Sequence, residues 1–113
     1  MAECIFCKIV AGGIPCTKVY ENETVLAFED IQPLAPVHVV LVPKRHVATV
    51  MDMEGEEGLP AALFAAVREI ARIKGIDETG FRMVVNTNRE GGQIIFHLHV
   101  HVLGGRKLSD GLG

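Results

Sequence analysis

The stretch Phe96-His97-Leu98-His99-Val100-His101-Val102-Leu103-Gly104-Gly105 decides how the rest of the chain reads. Imidazole and apolar side chains alternate through it with a period of two, the period of a β-strand. His97, His99 and His101 therefore share one face, about 7 Å apart, and Phe96, Leu98, Val100 and Val102 share the other, which turns to the core. Three of the chain's five histidines lie here. A row of imidazoles is costly to bury unless each ring has a partner. On a straight strand their total spread of about 13 Å is too long for all three to hold one metal ion. The face reads as one selected for chemistry.

Working outward, the strand spans Ile94 to Leu103 and is joined through the Gly-rich link Thr87-Asn88-Arg89-Glu90-Gly91-Gly92-Gln93 to another at Phe81 to Asn86. Before these, residues 59–74 carry Leu59, Leu63, Ala66, Val67, Ile70 and Ile73 at helical spacing, with Pro60 near the start and Gly75 as a stop. Acidic Glu54, Glu56 and Glu57 precede this helix and Arg72 and Lys74 close it, matching its dipole. Its opposite face carries Ala61, Ala62 and Ala65, small enough to seat a second copy of the chain, so a homodimer is expected. Nearer the N-terminus, Cys4 to Val10 reads as a short helix stopped by Gly12, Gly13 and Pro15. Lys18–Tyr20 and Thr24–Phe28 flank a hairpin turn at Glu21-Asn22-Glu23, and a third strand runs from Val37 to Val42. Between them Gln32-Pro33-Leu34-Ala35-Pro36 is an ordered turn restricted by two prolines. The expected fold is α+β, a five-stranded, mainly antiparallel sheet with one long helix and a short N-terminal helix.

A length of 113 residues provides a single domain, residues 1–113, and too little chain for two cores. A net charge of −3 without a basic stripe excludes a general nucleic-acid-polymer binder but leaves room for a mononucleotide. No apolar run approaches the length of a membrane span, and the first residues lack the pattern of a secretion signal. Three cysteines, an odd number, read as reduced thiols of a cytoplasmic protein.

The pattern His-x-His-x-His with apolar spacers resembles the signature of the histidine-triad (HIT) family. Asn86, Gly91-Gly92-Gln93 and Leu103-Gly104-Gly105-Arg106 make it similar to the Hint branch, the histidine-triad nucleotide-binding proteins. The likeness extends back through Leu26-Ala27-Phe28-Glu29-Asp30-Ile31, Ala35-Pro36-Val37-His38 and Val42-Pro43-Lys44-Arg45-His46, nearly the whole chain.

The resemblance implies a hydrolase of purine nucleoside phosphoramidates or related nucleotidyl conjugates, releasing a nucleoside monophosphate. His99 takes the place of the family's nucleophile toward the α-phosphorus, forming a nucleotidyl-histidine that water cleaves. His38 matches the supporting histidine, and His101 the one that contacts the phosphate and assists proton transfer to the leaving group. Asn86, Gly92 and Gln93, with the amides after Gly91, match a phosphate-binding loop; taken alone, the glycine pair reads as a turn. Asp30 matches the ribose-binding carboxylate, and Phe6, Ile9, Phe28 and Ile31 the apolar walls of a base pocket. Ile94 departs from the pattern, standing where Hint relatives place a small hydroxyl residue.

Cys4-x-x-Cys7 is too sparse a motif to signal zinc unaided. Similarity to bacterial histidine-triad proteins bearing the same pair implies a structural zinc site of Cys4, Cys7, His46 and His97, two thiolates and two imidazoles. Cys16 is left as a free thiol. Two rival functions stand beside the leading one: dinucleoside polyphosphate hydrolysis, and a non-catalytic nucleotide-binding module.

Overall fold

A computed structural model describes residues 3–112. The chain runs α1 (Ile5–Val10), β1 (Lys18–Glu21), β2 (Val25–Glu29), β3 (Val37–Pro43), a 3-10 turn (Val50–Met53), α2 (Gly58–Ile73), β4 (Phe81–Val84) and β5 (Val100–Gly104). The strands form one five-stranded sheet in the order β1-β2-β3-β5-β4. Every neighbouring pair is antiparallel. The expected α+β architecture, with one long and one short helix, is the one observed.

Local chemistry sets the ends of the elements. The Cys7 amide donates to Cys4 Sγ (3.3 Å) across the first turn of α1, and Gly12 leaves the helix at a φ of +83° that suits glycine. The β1–β2 turn is held by Asn22, whose Oδ1 accepts from the Thr24 and Val25 amides at 2.8 and 2.9 Å. Thr49 and Asp52 close a reciprocal capping box at the 3-10 turn, which the hydrophobic pattern does not announce.

The sheet is covered on both faces. Val25 and Ala27 of β2, Val39 and Leu41 of β3, and Val100 and Val102 of β5 pack against Leu59, Leu63, Val67 and Ile70 of α2. The alternate residues Leu26, Phe28, Val40 and Val42 form a second, smaller cluster with Phe6 of α1. Burying both faces explains why β3, the central strand, is almost uniformly apolar. By strand alternation His38 and His101 belong to the α1 side.

Four expectations are corrected. The last strand does not begin at Ile94: the ladder starts at Val100, and residues 95–97 bend. The register pairs Leu41 with Val100, so continuing it would set Leu98 opposite Pro43, which has no N–H to donate. The Leu98 amide turns instead to the Val47 carbonyl at 2.7 Å. With the alternation broken, Phe96 is not in the core but 46% exposed. β4 ends at Val84, leaving Asn86 in the following loop. Ile73, the last residue of α2, is exposed, whereas Ala71 is buried.

Candidate active site

The five histidines are divided between two clusters. β3 and β5 place His38 and His101 diagonally across the ladder, where Val40 pairs with His101. The protons can be assigned from their partners. The Leu34 amide donates to His38 Nδ1 (3.0 Å), so the proton of neutral His38 is on Nε2. That N–H donates to His101 Nδ1 at 2.9 Å, which leaves His101 with its proton on Nε2. Asp30 Oδ2 lies 3.4 Å from His38 Nε2, and its Oδ1 accepts the Gln32 amide at 2.8 Å. Burial pushes the His101 pKa down to about 4, helped by the adjacent His99 and His38 and opposed by Asp30. At neutral pH His101 is therefore an uncharged hydrogen-bond donor.

His99 is buried, and its Nδ1 lies 2.8 Å from the carbonyl oxygen of His97. A carbonyl only accepts, so the proton is on Nδ1 and Nε2 carries the bare lone pair. The ring centroids of His99 and His101 are 5.0 Å apart. One ring nitrogen able to attack and one N–H able to receive developing negative charge thus stand side by side.

Both rings line a cleft of about 830 Å³. Phe6, Ile9, Phe28 and Ile31 form part of its wall, and Asp30, Asn86 and Gly92 lie on its lining. His38 sits behind His101 and not on the surface of the cleft. Gln93 is also away from it: its Nε2 donates to the Ala48 and Ile95 carbonyls, and its Oε1 accepts the Asn88 amide. The loop amides expected to meet phosphate are largely occupied within the turn, Gly92 N–H on Arg89 O (3.0 Å) and Gln93 N–H on Asn88 O (3.1 Å). Asn86 Nδ2 donates to Gly91 O at 2.7 Å. Gly91 is required by space: a Cβ there would lie 2.4 Å from the Thr87 carbonyl oxygen. Ile5, Ile14, Cys16, Thr17 and Val40 line the cleft unforeseen; for Val40 the alternation with His38 on β3 carried the signal.

His97 belongs to the second cluster. Its Nε2–H donates to the Pro43 carbonyl (2.8 Å), so the lone pair is on Nδ1, 3.3 Å from Cys4 Sγ and 3.5 Å from Cys7 Sγ. His46 Nδ1 is 3.2 Å from Cys7 Sγ. The four ligand atoms all lie within 4.8 Å of one another, in keeping with the ligand separations of about 3.3–3.8 Å that follow from tetrahedral zinc bond lengths. Burial, then the neighbouring Cys4 sulfur, pushes the Cys7 thiol up, so two thiolates here call for a cation between them. Phe6, between the two cysteines, packs edge-on against His97 (5.8 Å) and His99 (5.1 Å) and so links the clusters.

The model of the HIT domain matches residues 11–108. The chain belongs to the HIT family. It is 43% identical over 108 residues, 95% of this chain and 91% of the relative, to the purine nucleoside phosphoramidase of Escherichia coli K12. Among solved structures, a HIT family hydrolase from Legionella pneumophila superposes with a TM-score of 0.94 at 42% identity, covering 98% of this HIT protein and all of that chain (100%). A histidine triad protein from Clostridium difficile does so with a TM-score of 0.94 at 45% identity, covering 97% and 96%.

Proposed function

We propose that this HIT protein hydrolyses purine nucleoside phosphoramidates or related nucleotidyl conjugates and releases the nucleoside monophosphate. The observation that carries the reading is the pair of opposite tautomers, a bare His99 Nε2 beside a His101 Nε2–H, on the wall of an apolar cleft. The similarity to the E. coli phosphoramidase supports the same substrate class.

The base lies among Phe6, Ile9, Phe28 and Ile31, and the ribose hydroxyls donate to Asp30. His99 Nε2 forms a bond to the α-phosphorus as the P–N bond to the amine breaks. The ring becomes positively charged, and its Nδ1–H stays on the His97 carbonyl. The His101 N–H donates to a phosphoryl oxygen as charge builds there. The departing amine takes its proton from water as the P–N bond breaks. Water then cleaves the nucleotidyl-histidine, releasing the monophosphate and restoring His99.

Cys4, Cys7, His46 and His97 would hold a zinc ion, which would supply a structural cross-link and no step of the reaction. The donor chemistry fits: two sulfurs, two imidazoles, and His97 with its Nε2–H fixed on Pro43 so that Nδ1 faces the cluster. A homodimer is part of the proposal. β4 is an edge strand, and the outer face of α2 presents Ala61, Ala65 and a 62%-exposed Phe64. Three free cysteines accord with a reducing, cytoplasmic setting.

The test is an adenosine phosphoramidate carrying a fluorescent amine, given to the wild-type chain and to His99→Ala. The expected result is turnover by wild type and a loss of at least about 10³-fold in the variant, with AMP still bound. A wild-type chain that binds AMP but turns over no conjugate would overturn the reading in favour of a binding module.

A further inference from the structure

One residue belongs to both histidine clusters. The fully buried ring of His97 sits among the cysteines: Nε2–H donates to the Pro43 carbonyl at 2.8 Å, and Nδ1 faces Cys4 Sγ at 3.3 Å and Cys7 Sγ at 3.5 Å. The backbone carbonyl of the same residue accepts the His99 Nδ1–H at 2.8 Å and so sets the tautomer that leaves Nε2 bare. His97 lies in the bend before β5, whose ladder starts at Val100, so sheet pairing does not fix the direction of that carbonyl. The anchored ring does, together with the Leu98 amide on Val47 O at 2.7 Å. A second connection runs through α1, whose Ile5, Phe6 and Ile9 line the cleft. A helix of six residues is not stable in water by itself. Among the described residues, the polar contacts that tie α1 and its Cys4 cap to the rest of the fold run through the two sulfurs, Cys4 to His97 and Cys7 to His46 and His97.

We propose that His97 is a positioning residue for the nucleophile and that, through it and α1, cation binding by Cys4, Cys7, His46 and His97 is coupled to nucleotide binding in the cleft. The inference rests on the nucleotide reading above and goes beyond it. With a cation held by the four residues, the two sulfurs of α1 are fastened to His97 and His46. Phe6, edge-on against His97 and His99, is then fixed with the helix, and so is the apolar wall it shares with Ile5 and Ile9. Without the cation only the weak contacts of thiols hold α1. The wall loosens, the His97 ring loses one of its two anchors, and its carbonyl turns more freely away from His99, whose ring then samples both tautomers. A nucleotide entering the loosened cleft must order these groups itself, at a cost in affinity. Coupling between two binding equilibria is reciprocal, so a bound nucleotide tightens the cation by the same factor.

The experiment uses the full chain in four forms: zinc-loaded wild type, chelator-treated wild type, His46→Ala and zinc-loaded His46→Cys. Among the described residues His46 does not line the cleft, so its replacement reaches the nucleotide only through the cluster, and His46→Cys restores a four-ligand set. Each form is checked for folding by circular dichroism. AMP affinity is measured by calorimetry, zinc affinity by competition with a chromogenic chelator with and without saturating AMP, and the His99 tautomer by proton–nitrogen NMR of the imidazoles. Chelated wild type and His46→Ala are expected to bind AMP at least about fivefold more weakly than zinc-loaded wild type. His46→Cys recovers the affinity, saturating AMP tightens zinc by the matching factor, and the single His99 tautomer becomes a mixture when zinc is removed. Folded metal-free forms that bind AMP like the loaded chain, with the His99 signals unchanged, overturn the coupling and leave the nucleotide reading standing. Unfolding of both metal-free forms assigns the cluster to stability alone and also overturns it. A loaded wild type that does not bind AMP overturns the parent reading, and this one with it.

Discussion

Replacing Phe6 with alanine separates the two histidine clusters at the point where α1 joins them. The ring is 7% exposed and meets Phe28, His97 and His99 edge-on at centroid distances of 5.8, 5.8 and 5.1 Å. Truncating a phenylalanine in a sealed core costs about 3–5 kcal/mol, including about 0.5–1.5 for each good aromatic pair. Here one side of the ring faces the cleft, so water fills the space and no closed cavity forms, which puts the cost near the lower end, about 3 kcal/mol. With an unfolding entropy of about 2.1 cal/mol/K per residue over a chain of this length, that cost lowers Tm by roughly 12 °C. The assay is thermal unfolding by circular dichroism with saturating zinc, accompanied by AMP titration. The variant should melt roughly 12 °C lower and bind AMP at least about tenfold more weakly, because the ring is also part of the cleft wall. A shift below about 4 °C with AMP affinity unchanged would refute the packing of α1 against the triad described above.

Two further outcomes are expected. Native protein should retain one zinc per chain by mass spectrometry. A strong chelator removes a stabilisation of about 4 kcal/mol if free zinc had stood at 1,000 times its Kd, and Cys4→Ser or His46→Ala should abolish retention. Metal-free native protein with no submicromolar zinc affinity would refute the four-ligand site. Acid should also destabilise the fold. The His101 pKa of about 4 lies below the ordinary 6.5, through burial and the facing His99 and His38, with Asp30 opposing. The stabilisation it contributes is therefore complete above pH 6.5 and lost as the pH falls from there toward 4. Tm measured across that window should drop, and His101→Gln should make the drop shallower. Some slope remains, since His97 is shifted the same way, chiefly by burial. An identical slope in the variant would show that His101 is not buried as a neutral ring.

The sequence by itself determined the layering and the cast of residues. Alternation on β3 and β5 sent Val39, Leu41, Val100 and Val102 to α2 and left His38 and His101 to the other face, because a strand has only two faces and the apolar one must be covered. The stripe on α2 was legible for the same reason at a period of 3.6. The HIT-like spacing pointed to every residue of the two clusters.

Tertiary structure decided which cluster each histidine joins, where each proton sits, and which donors are free for phosphate. The straight strand expected from Ile94 stops short because Pro43 has no N–H to offer opposite Leu98, and the resulting bend lets His97 turn to the cysteines while His99 stays in the cleft. The tautomers depend on backbone groups that carry no side-chain signature, namely Leu34 N–H, His97 C=O and Pro43 C=O. Gly92 and Gln93 looked like phosphate donors, but the turn uses their amides internally. That no lysine or arginine lines the cleft among the described residues was likewise hidden, because such residues are plentiful in the sequence and only folding decides which of them reach the lining. Side-chain periodicity reports which face a residue takes; hydrogen-bond direction and local charge depend on register and loop geometry, which pattern alone does not fix.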